Sequence, residues 1–329
     1  MDTLWLDDNT TGAPIFSVQC QECGGLCCFA DDINYTVTGK TPEQLTETLF
    51  KKYSITAYFL TDNRLKVNDD KTHSLVMTSR QKRRHLDTDS IRILTPSSTI
   101  LPSRTERLLG AEIHQDMKRR EHILDSENSL VKSLNKRLGA LKKIQNLATL
   151  KSRKMIATGI FMSKLIYLMP LWAGCDEYLL RSLQLIQNKA ARSVAKLSFF
   201  TPVKTLLKTC GWMSVRQLMA YHSLVLLQKT LAHQTPQYMY KKVTAGGQFP
   251  YKTRQAATCP AEFSFTVHHP ADNGAIRHSR DQNLGMSKEG WCWRSVELFN
   301  RLPTDLRLER NPVKFKTRLK KWVEQNIEI

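Results

Sequence analysis

Leu26-Cys27-Cys28-Phe29-Ala30-Asp31-Asp32-Ile33-Asn34-Tyr35-Thr36-Val37 sets two short apolar runs on either side of a pair of aspartates. In the second run Ile33, Tyr35 and Val37 alternate with Asn34, Thr36 and Thr38. A period of two marks a half-buried strand, so the stretch reads as a β-hairpin with Asp31 and Asp32 at its tip. Two carboxylates on one tight turn repel each other, and packing them against a core is costly without a cation. Two readings follow: a solvated acidic turn, or a seat for divalent metal of the kind used in two-metal phosphoryl transfer.

Downstream, Thr41-Pro42-Glu43-Gln44 carries the marks of a helix start, with Thr41 as cap, Pro42 at the first position and Gln44 completing a capping box. Leu45, Leu49 and Tyr53 recur on one face, and the helix is expected to fade near Thr61-Asp62-Asn63. Strands are expected over Leu65–Val67 and His73–Met77, around the turn Asn68-Asp69-Asp70. A polar loop is expected over 80–90. Further short strands are expected at Ile91–Leu94, Thr99–Leu101 and Leu108–Ile113, broken by Pro96 and Pro102.

From Met117 the pattern turns helical. Leu130, Leu134, Leu138, Leu141 and Ile144 follow spacings of three and four, with Lys132, Lys136, Arg137, Lys142 and Lys143 between them. Helices are expected over 152–169, over 176–197 with Leu179, Leu183, Ile186, Ala190 and Val194 inward, after Thr201-Pro202, and over Val215–His233. Residues 244–290 are loop-rich, with room for one or two strands. The chain closes on a basic amphipathic helix that sets Phe315, Leu319 and Trp322 against Lys314, Lys316, Arg318, Lys320 and Lys321. The fold class is α+β. The expected division is 1–117 with the short strands, 118–243 helical, and 244–329 a basic, loop-rich C-terminal region.

Among 329 residues the net charge is +19. Residues 1–70 hold 5 Lys and Arg against 11 Asp and Glu, and the remainder holds 44 against 19. An acidic front and a basic remainder suit a cation site joined to a polyanion cradle; a soluble basic protein with no fixed partner is the plainer reading. The eight cysteines are unevenly spaced, which favours a reducing compartment. The N-terminus lacks the basic and apolar regions of a signal peptide. Lys164 and Pro170 interrupt the most apolar stretch, Met155 to Trp172, which reads as a buried helix and not a membrane span. An intracellular protein, in cytoplasm or nucleus, is expected.

The order of these segments resembles the palm and thumb of a non-LTR (LINE-type) retrotransposon reverse transcriptase. Leu65-Lys66-Val67-Asn68-Asp69-Asp70-Lys71-Thr72 resembles the Leu-x-x-Asn-x-x-Lys-Thr segment that follows the catalytic hairpin in that family. Glu106-Arg107-Leu108-Leu109-Gly110-Ala111-Glu112-Ile113 is similar to its primer-gripping hairpin, and Glu121-His122-Ile123 follows at the family's distance. Lys189-Ala190-Ala191-Arg192, Thr201-Pro202 and Gly211-Trp212-Met213-Ser214-Val215 look like the segment beyond the thumb. Asn300-Arg301-Leu302-Pro303, Phe315-Lys316 and Leu319-Lys320 look like the family's ending.

The resemblance implies a partial palm, a helical thumb and a basic C-terminal region, acting in RNA-directed DNA synthesis with Mg²⁺, an RNA template, a DNA primer and deoxynucleotides. Asp31 would ligate the catalytic metals with Asp32 beside it, and Phe29 and Ala30 would place the primer end. Lys71 would lie near the nucleotide's phosphates, where a mobile cation steadies a departing anion; otherwise it is a solvated lysine. Leu109 and Gly110 would support the primer backbone, glycine allowing close approach; otherwise Gly110 is an ordinary turn residue.

The family's other catalytic aspartate and its Gly-rich template grip lie N-terminal to this hairpin, and only 30 residues precede Asp31 here. Asp7 and Asp8 do not match the missing motif. A truncated polymerase, inactive alone, is therefore expected, with a non-catalytic, sequence-independent nucleic-acid-binding remnant as the alternative. Zinc is disfavoured: Cys27 and Cys28, neighbours in a strand, point to opposite faces, so they cannot easily join Cys20 and Cys23 around one metal. The set Cys259, His268, His269, His278 and Cys292 follows no compact zinc spacing.

Overall fold

The structure, a computed structural model, describes residues 19–20, 24–30, 32–95, 98–233, 235–236, 243–245, 265–267 and 291–328. The chain is α+β and divides into two compact units, Met1–Lys118 and Arg119–Ile329.

The first unit holds the short strands. β1 (Gln19–Cys20), β2 (Gly24–Phe29) and β3 (Asp32–Tyr35) form an antiparallel sheet in that order. α1 follows over Pro42–Asp62. Thr41 caps it by accepting the Gln44 amide N–H at 3.3 Å, while the Gln44 side chain reaches back to the amide of Lys40 at 3.0 Å. The expected capping box is thus displaced by one residue at its far end, and Asn63 closes the helix where expected. The strand expected over Leu65–Val67 does not form, and the second shrinks to β4, Ser74–Leu75. Between them Asp69–Lys71 is a turn of 3-10 helix, which satisfies its own backbone and leaves nothing to pair. The expected loop at 80–90 contains α2 (Arg80–Arg83) and a second 3-10 turn, Thr88–Ser90. Arg83 holds this region by donating to the carbonyls of Thr78 and Gln115, each at 3.1 Å, and to the Asp116 carboxylate.

The remaining strands are β5 (Ile93–Leu94), β6 (Thr99–Ile100), β7 (Pro102–Ser103), β8 (Thr105–Leu108) and β9 (Ala111–His114). Each pairs with one neighbour only: β5 with β6, β8 with β9, and β4 with β7 in parallel. Two-stranded ladders of two to four residues bury little of a sheet face. Among the described residues of this unit only Ile91, Ile93, Ile100 and Ala111 are buried apolar side chains, and α1 has none. Leu45, Leu49 and Tyr53 are half-buried, and Phe50, Ile55 and Tyr58 are exposed.

The second unit is helical. A π-helical turn at Glu121–Asp125 precedes α3 (Leu130–Ile144), which buries Leu130, Leu134, Leu138 and Leu141 as the periodicity requires and leaves Ile144 partly covered. The helix expected over 152–169 is broken into α4 (Leu150–Ala157), a π turn (Thr158–Met162) and α5 (Ser163–Ile166). The π turn bridges a shift in which face turns inward, so that Phe161, Met162 and Leu165 all reach the core. Pro170 opens a 3-10 turn over Met169–Trp172, which is why helix stops short of 169.

α6 (Glu177–Ala195) buries Leu179, Leu183, Ile186, Ala190 and Val194, the face read from its spacing. α7 (Val203–Cys210) follows Pro202, and Gly211 caps it with φ +73°, a conformation that favours glycine. α8 spans Val215–His233. Two strands in the region expected to be loop-rich, β10 (Val243–Ala245) and β11 (Phe265–Val267), pair antiparallel.

The chain ends in α9 (Trp291–Asn300), α10 (Thr304–Arg307) and α11 (Pro312–Asn326). Phe315, Leu319 and Val323 of α11 are buried, Trp322 only partly. With Val296 and Phe299 of α9 they join the cluster formed by α3 to α8. The C-terminal helices, set apart in the sequence as a third region, therefore share the core of the second unit. Among the described residues no helix is long and apolar enough to cross a membrane, and Phe161, Leu165, Met169 and Trp172 of the most apolar stretch are core residues.

Candidate nucleic-acid interface

The β2–β3 ladder pairs Phe29 with Asp32, Cys28 with Ile33 and Leu26 with Tyr35, so the connection is two residues long, Ala30 and Asp31. Ala30 has φ +50°, the left-handed conformation that two-residue hairpins demand. Phe29 and Asp32 flank the tip, both exposed. Asp31 itself lies outside the described residues.

α1 gathers two of the sequence's candidate segments. The Tyr35 hydroxyl donates to Thr56, and the Tyr53 hydroxyl donates to the Asp69 carboxylate at 2.6 Å. Tyr53 and Thr56 are three apart and so share one face of the helix. The base of the aspartate hairpin and the Asn68–Thr72 turn therefore hang from one side of α1. Burial, and then the hydrogen bond to Asp69, push the Tyr53 hydroxyl up to about 12, so it stays a donor. Burial raises Tyr35 as well. Lys71 closes the 3-10 turn, exposed, its amide bonded to the Asn68 carbonyl at 3.1 Å.

Among the described residues these side chains do not by themselves assemble a metal seat. Asp32 is the one carboxylate described at the hairpin tip, and Asp69 is engaged by Tyr53. Among the described residues no group of three His, Cys, Asp or Glu side chains is placed to hold a metal. The cysteine and histidine sets weighed for zinc fall largely outside the described side chains. Cys175 and Cys210 are free, buried thiols. Burial pushes Cys175 up to about 12 and Cys210 to about 11, which keeps both protonated and unreactive near neutrality.

Leu109 and Gly110 form the tip of a second hairpin. The pairs Leu108–Ala111 and Arg107–Glu112 leave them as the two connecting residues, at φ +46° and +82°. Left-handed φ at both positions is the type I′ pattern, in which Asn-Gly is preferred. Glycine is at ease there, but a leucine is held against its own Cβ at a cost of about 1–2 kcal/mol. Leu109→Asn is accordingly expected to stabilise the first unit by about 1 kcal/mol, read as a higher urea midpoint. A lower midpoint would show that Leu109 contributes contacts worth more than the strain.

The second unit carries a different signature, an excess of cations sharper than in the basic remainder as a whole. Residues 128–233 contain seventeen Lys and Arg but only two acids, Asp176 and Glu177. Glu177 is occupied by Arg216 at 2.6 Å and Arg181 at 3.9 Å. On α3, exposed Lys132, Lys136 and Lys143 lie opposite the buried leucines. A cleft of about 390 Å³ between α8 and α11 is lined by Tyr221, Lys316, Thr317, Lys320, Lys321 and Glu324. Glu324 approaches Lys320 at 3.9 Å.

One cation has another role. Arg153 is buried, and its guanidinium donates to the carbonyls of Val194 at 2.7 Å, Ala148 at 2.7 Å and Gln145 at 3.0 Å. It closes the C-terminal ends of α3 and α6, where unpaired carbonyls and the helix dipoles favour positive charge. Ser193 adds a bond to the Gln145 side chain at 3.0 Å. Nothing in local sequence separates Arg153 from the solvated Lys151 and half-exposed Lys154 beside it. Comparison of the chain with protein-family models, curated proteins and solved structures finds no match.

Proposed function

We propose that the chain binds nucleic acid through the basic surface of its helical unit, largely without regard to sequence, and that it is a fragment of a reverse-transcriptase-type polymerase. The observation that carries the binding reading is the near absence of acids from residues 128–233 while exposed lysines recur on successive helices. Sheer solubility does not require so one-sided a balance; interspersed charges serve that purpose as well. Lysines opposite a buried helix face reach phosphates and carry no base readout.

The polymerase reading rests on the ordered sequence resemblance. The common attachment of the aspartate hairpin and the Lys71 turn to α1 supports it, and so do the two-residue turns at Ala30-Asp31 and Leu109-Gly110. In that reading Asp31 and Asp32 meet Mg²⁺, Lys71 faces the nucleotide phosphates, and Phe29, Ala30, Leu109 and Gly110 meet the primer.

The test is duplex binding by the full chain as salt is raised from about 50 to about 200 mM. Six or more phosphate contacts make the affinity fall about a thousandfold or more. The triple variant Lys316→Glu, Lys320→Glu, Lys321→Glu should weaken every duplex sequence alike and flatten the salt slope. Affinity indifferent to salt would sink the binding reading. Binding to a primer–template that is unmoved by Mg²⁺ and by Asp31→Ala would leave a plain nucleic-acid-binding remnant in place of the polymerase fragment.

A further inference from the structure

Between α6 and α7 the chain presents Phe199 and Phe200 to solvent, 75% and 90% exposed. Paired large aromatics in water forfeit their burial energy, and contiguous exposed apolar groups mark contact sites. These two are held in a fixed geometry. Their rings meet edge to face, 5.9 Å apart at 85°. The Arg192 guanidinium lies over the Phe199 ring at 5.0 Å and also donates to the Phe199 carbonyl at 3.2 Å. The Ser198 hydroxyl accepts the Phe200 amide, and the Thr201 amide returns to the Ser198 carbonyl. Phe199 is thus the buttress, clasped by Arg192, and Phe200 is the ring left open.

The surroundings are cationic. Lys196 and Lys204 stand four residues to either side of Phe200, both exposed, and Lys196 ends α6 in a left-handed cap. Lys189 precedes Arg192 by three residues on α6, and Lys208 follows Lys204 by four on α7, so each helix carries its cations on one stripe. No acid occurs anywhere from Tyr178 to Ala261.

We infer that Phe200, buttressed by Phe199 and Arg192 and flanked by Lys196 and Lys204, is a stacking platform for a base of single-stranded nucleic acid. The inference rests on the reading of the helical unit as a nucleic-acid binder and names a strand state for one part of it. An open aromatic face between cations meets the two needs of an unpaired strand, a surface for the base and charge for the phosphates on either side. A duplex offers no free base face and gains nothing from the ring. An apolar protein partner would gain from the ring but would have to cover the lysines unpaired.

The test measures full-length chain against three probes: a short oligothymidylate, an abasic strand with the same number of phosphates, and a short duplex. Wild type should prefer the oligothymidylate to the abasic strand. Phe200→Ala should weaken oligothymidylate binding about tenfold or more, the range of one lost base stack. It should leave abasic-strand and duplex affinities and the salt slope unchanged. Phe200→Trp should restore the preference. Phe200 is nearly fully exposed, so its truncation does not threaten the fold. Equal binding of oligothymidylate and abasic strand, or a Phe200→Ala variant that keeps full affinity, overturns the platform while leaving the wider binding reading intact. Failure of wild type to bind any probe overturns both. Unchanged oligonucleotide affinity with lost self-association in sedimentation would assign the pair to protein contact and overturn the platform too.

Discussion

Arg153→Met lowers the stability of the helical unit by about 3 kcal/mol, because three carbonyls lose their donor and unsatisfied buried acceptors cost about 1–3 kcal/mol each. The figure sits below the full sum because the carbonyls of Gln145 and Ala148 lie at the end of α3 and in the turn beyond it, among half-exposed and exposed residues, where water takes up part of the loss. For a unit of this size the shift corresponds to a thermal midpoint lower by about 6–12 °C. Methionine preserves the apolar stem, so the loss reports the guanidinium and not a cavity. Arg153→Lys should recover little, since one ammonium cannot serve acceptors at the ends of two helices as a planar fork does. Calorimetry or thermal circular dichroism on the intact chain measures both. A midpoint unchanged in Arg153→Met would mean that the ends of α3 and α6 are closed by water at no cost.

Hydrogen exchange on the native chain should separate the two units sharply. Amides of α3, α6 and α8 belong to a core of thirty-seven buried apolar side chains among the described residues, Leu134, Phe161, Leu183, Leu224 and Leu319 included. Those of α1 and the paired strands rest on four such side chains among the described residues. Amide protection follows the free energy of local opening, which tracks buried apolar packing. The β2–β3 hairpin and α1 are expected to exchange at least about a thousandfold faster than the centre of α6, a difference of about 4 kcal/mol in opening free energy. Residues 19–60 should be the least protected part of the first unit. Equal protection in α1 and α6 would show that the first unit draws on interactions beyond its own packing.

α3, α6 and α11 were readable because each buries one stripe. Leu130 to Leu141, Leu179 to Val194 and Phe315 to Leu319 repeat at three and four residues, and burial follows the repeat. The aspartate hairpin was readable in position, though Asp32 falls in the strand, paired with Phe29, and not in the connection, and Ile33 is exposed. The strand expected over Leu65–Val67 does not form, and of the one expected over His73–Met77 only Ser74–Leu75 pairs. A short apolar run becomes a strand only if a partner edge is present, and among the described residues only the β4–β7 pairing reaches that stretch. The π turn at Thr158–Met162 left no trace in the periodicity, because it corrects a face that only the packed neighbours define.

Composition and spacing alone carried the α+β class, the helical second half, its polycationic surface and the position of the acidic hairpin, since these depend on nearest neighbours along the chain. Long-range placement supplied the rest. It made Arg153 a buried clasp while Lys151 beside it stayed in solvent, hung Tyr35 and Asp69 from one face of α1, drew the C-terminal helices into the core of α3 to α8, and set Arg192 over Phe199 with Phe200 left open. Each of those outcomes depends on which distant carbonyl, ring or apolar face comes within a few ångströms, and a linear pattern does not encode that distance.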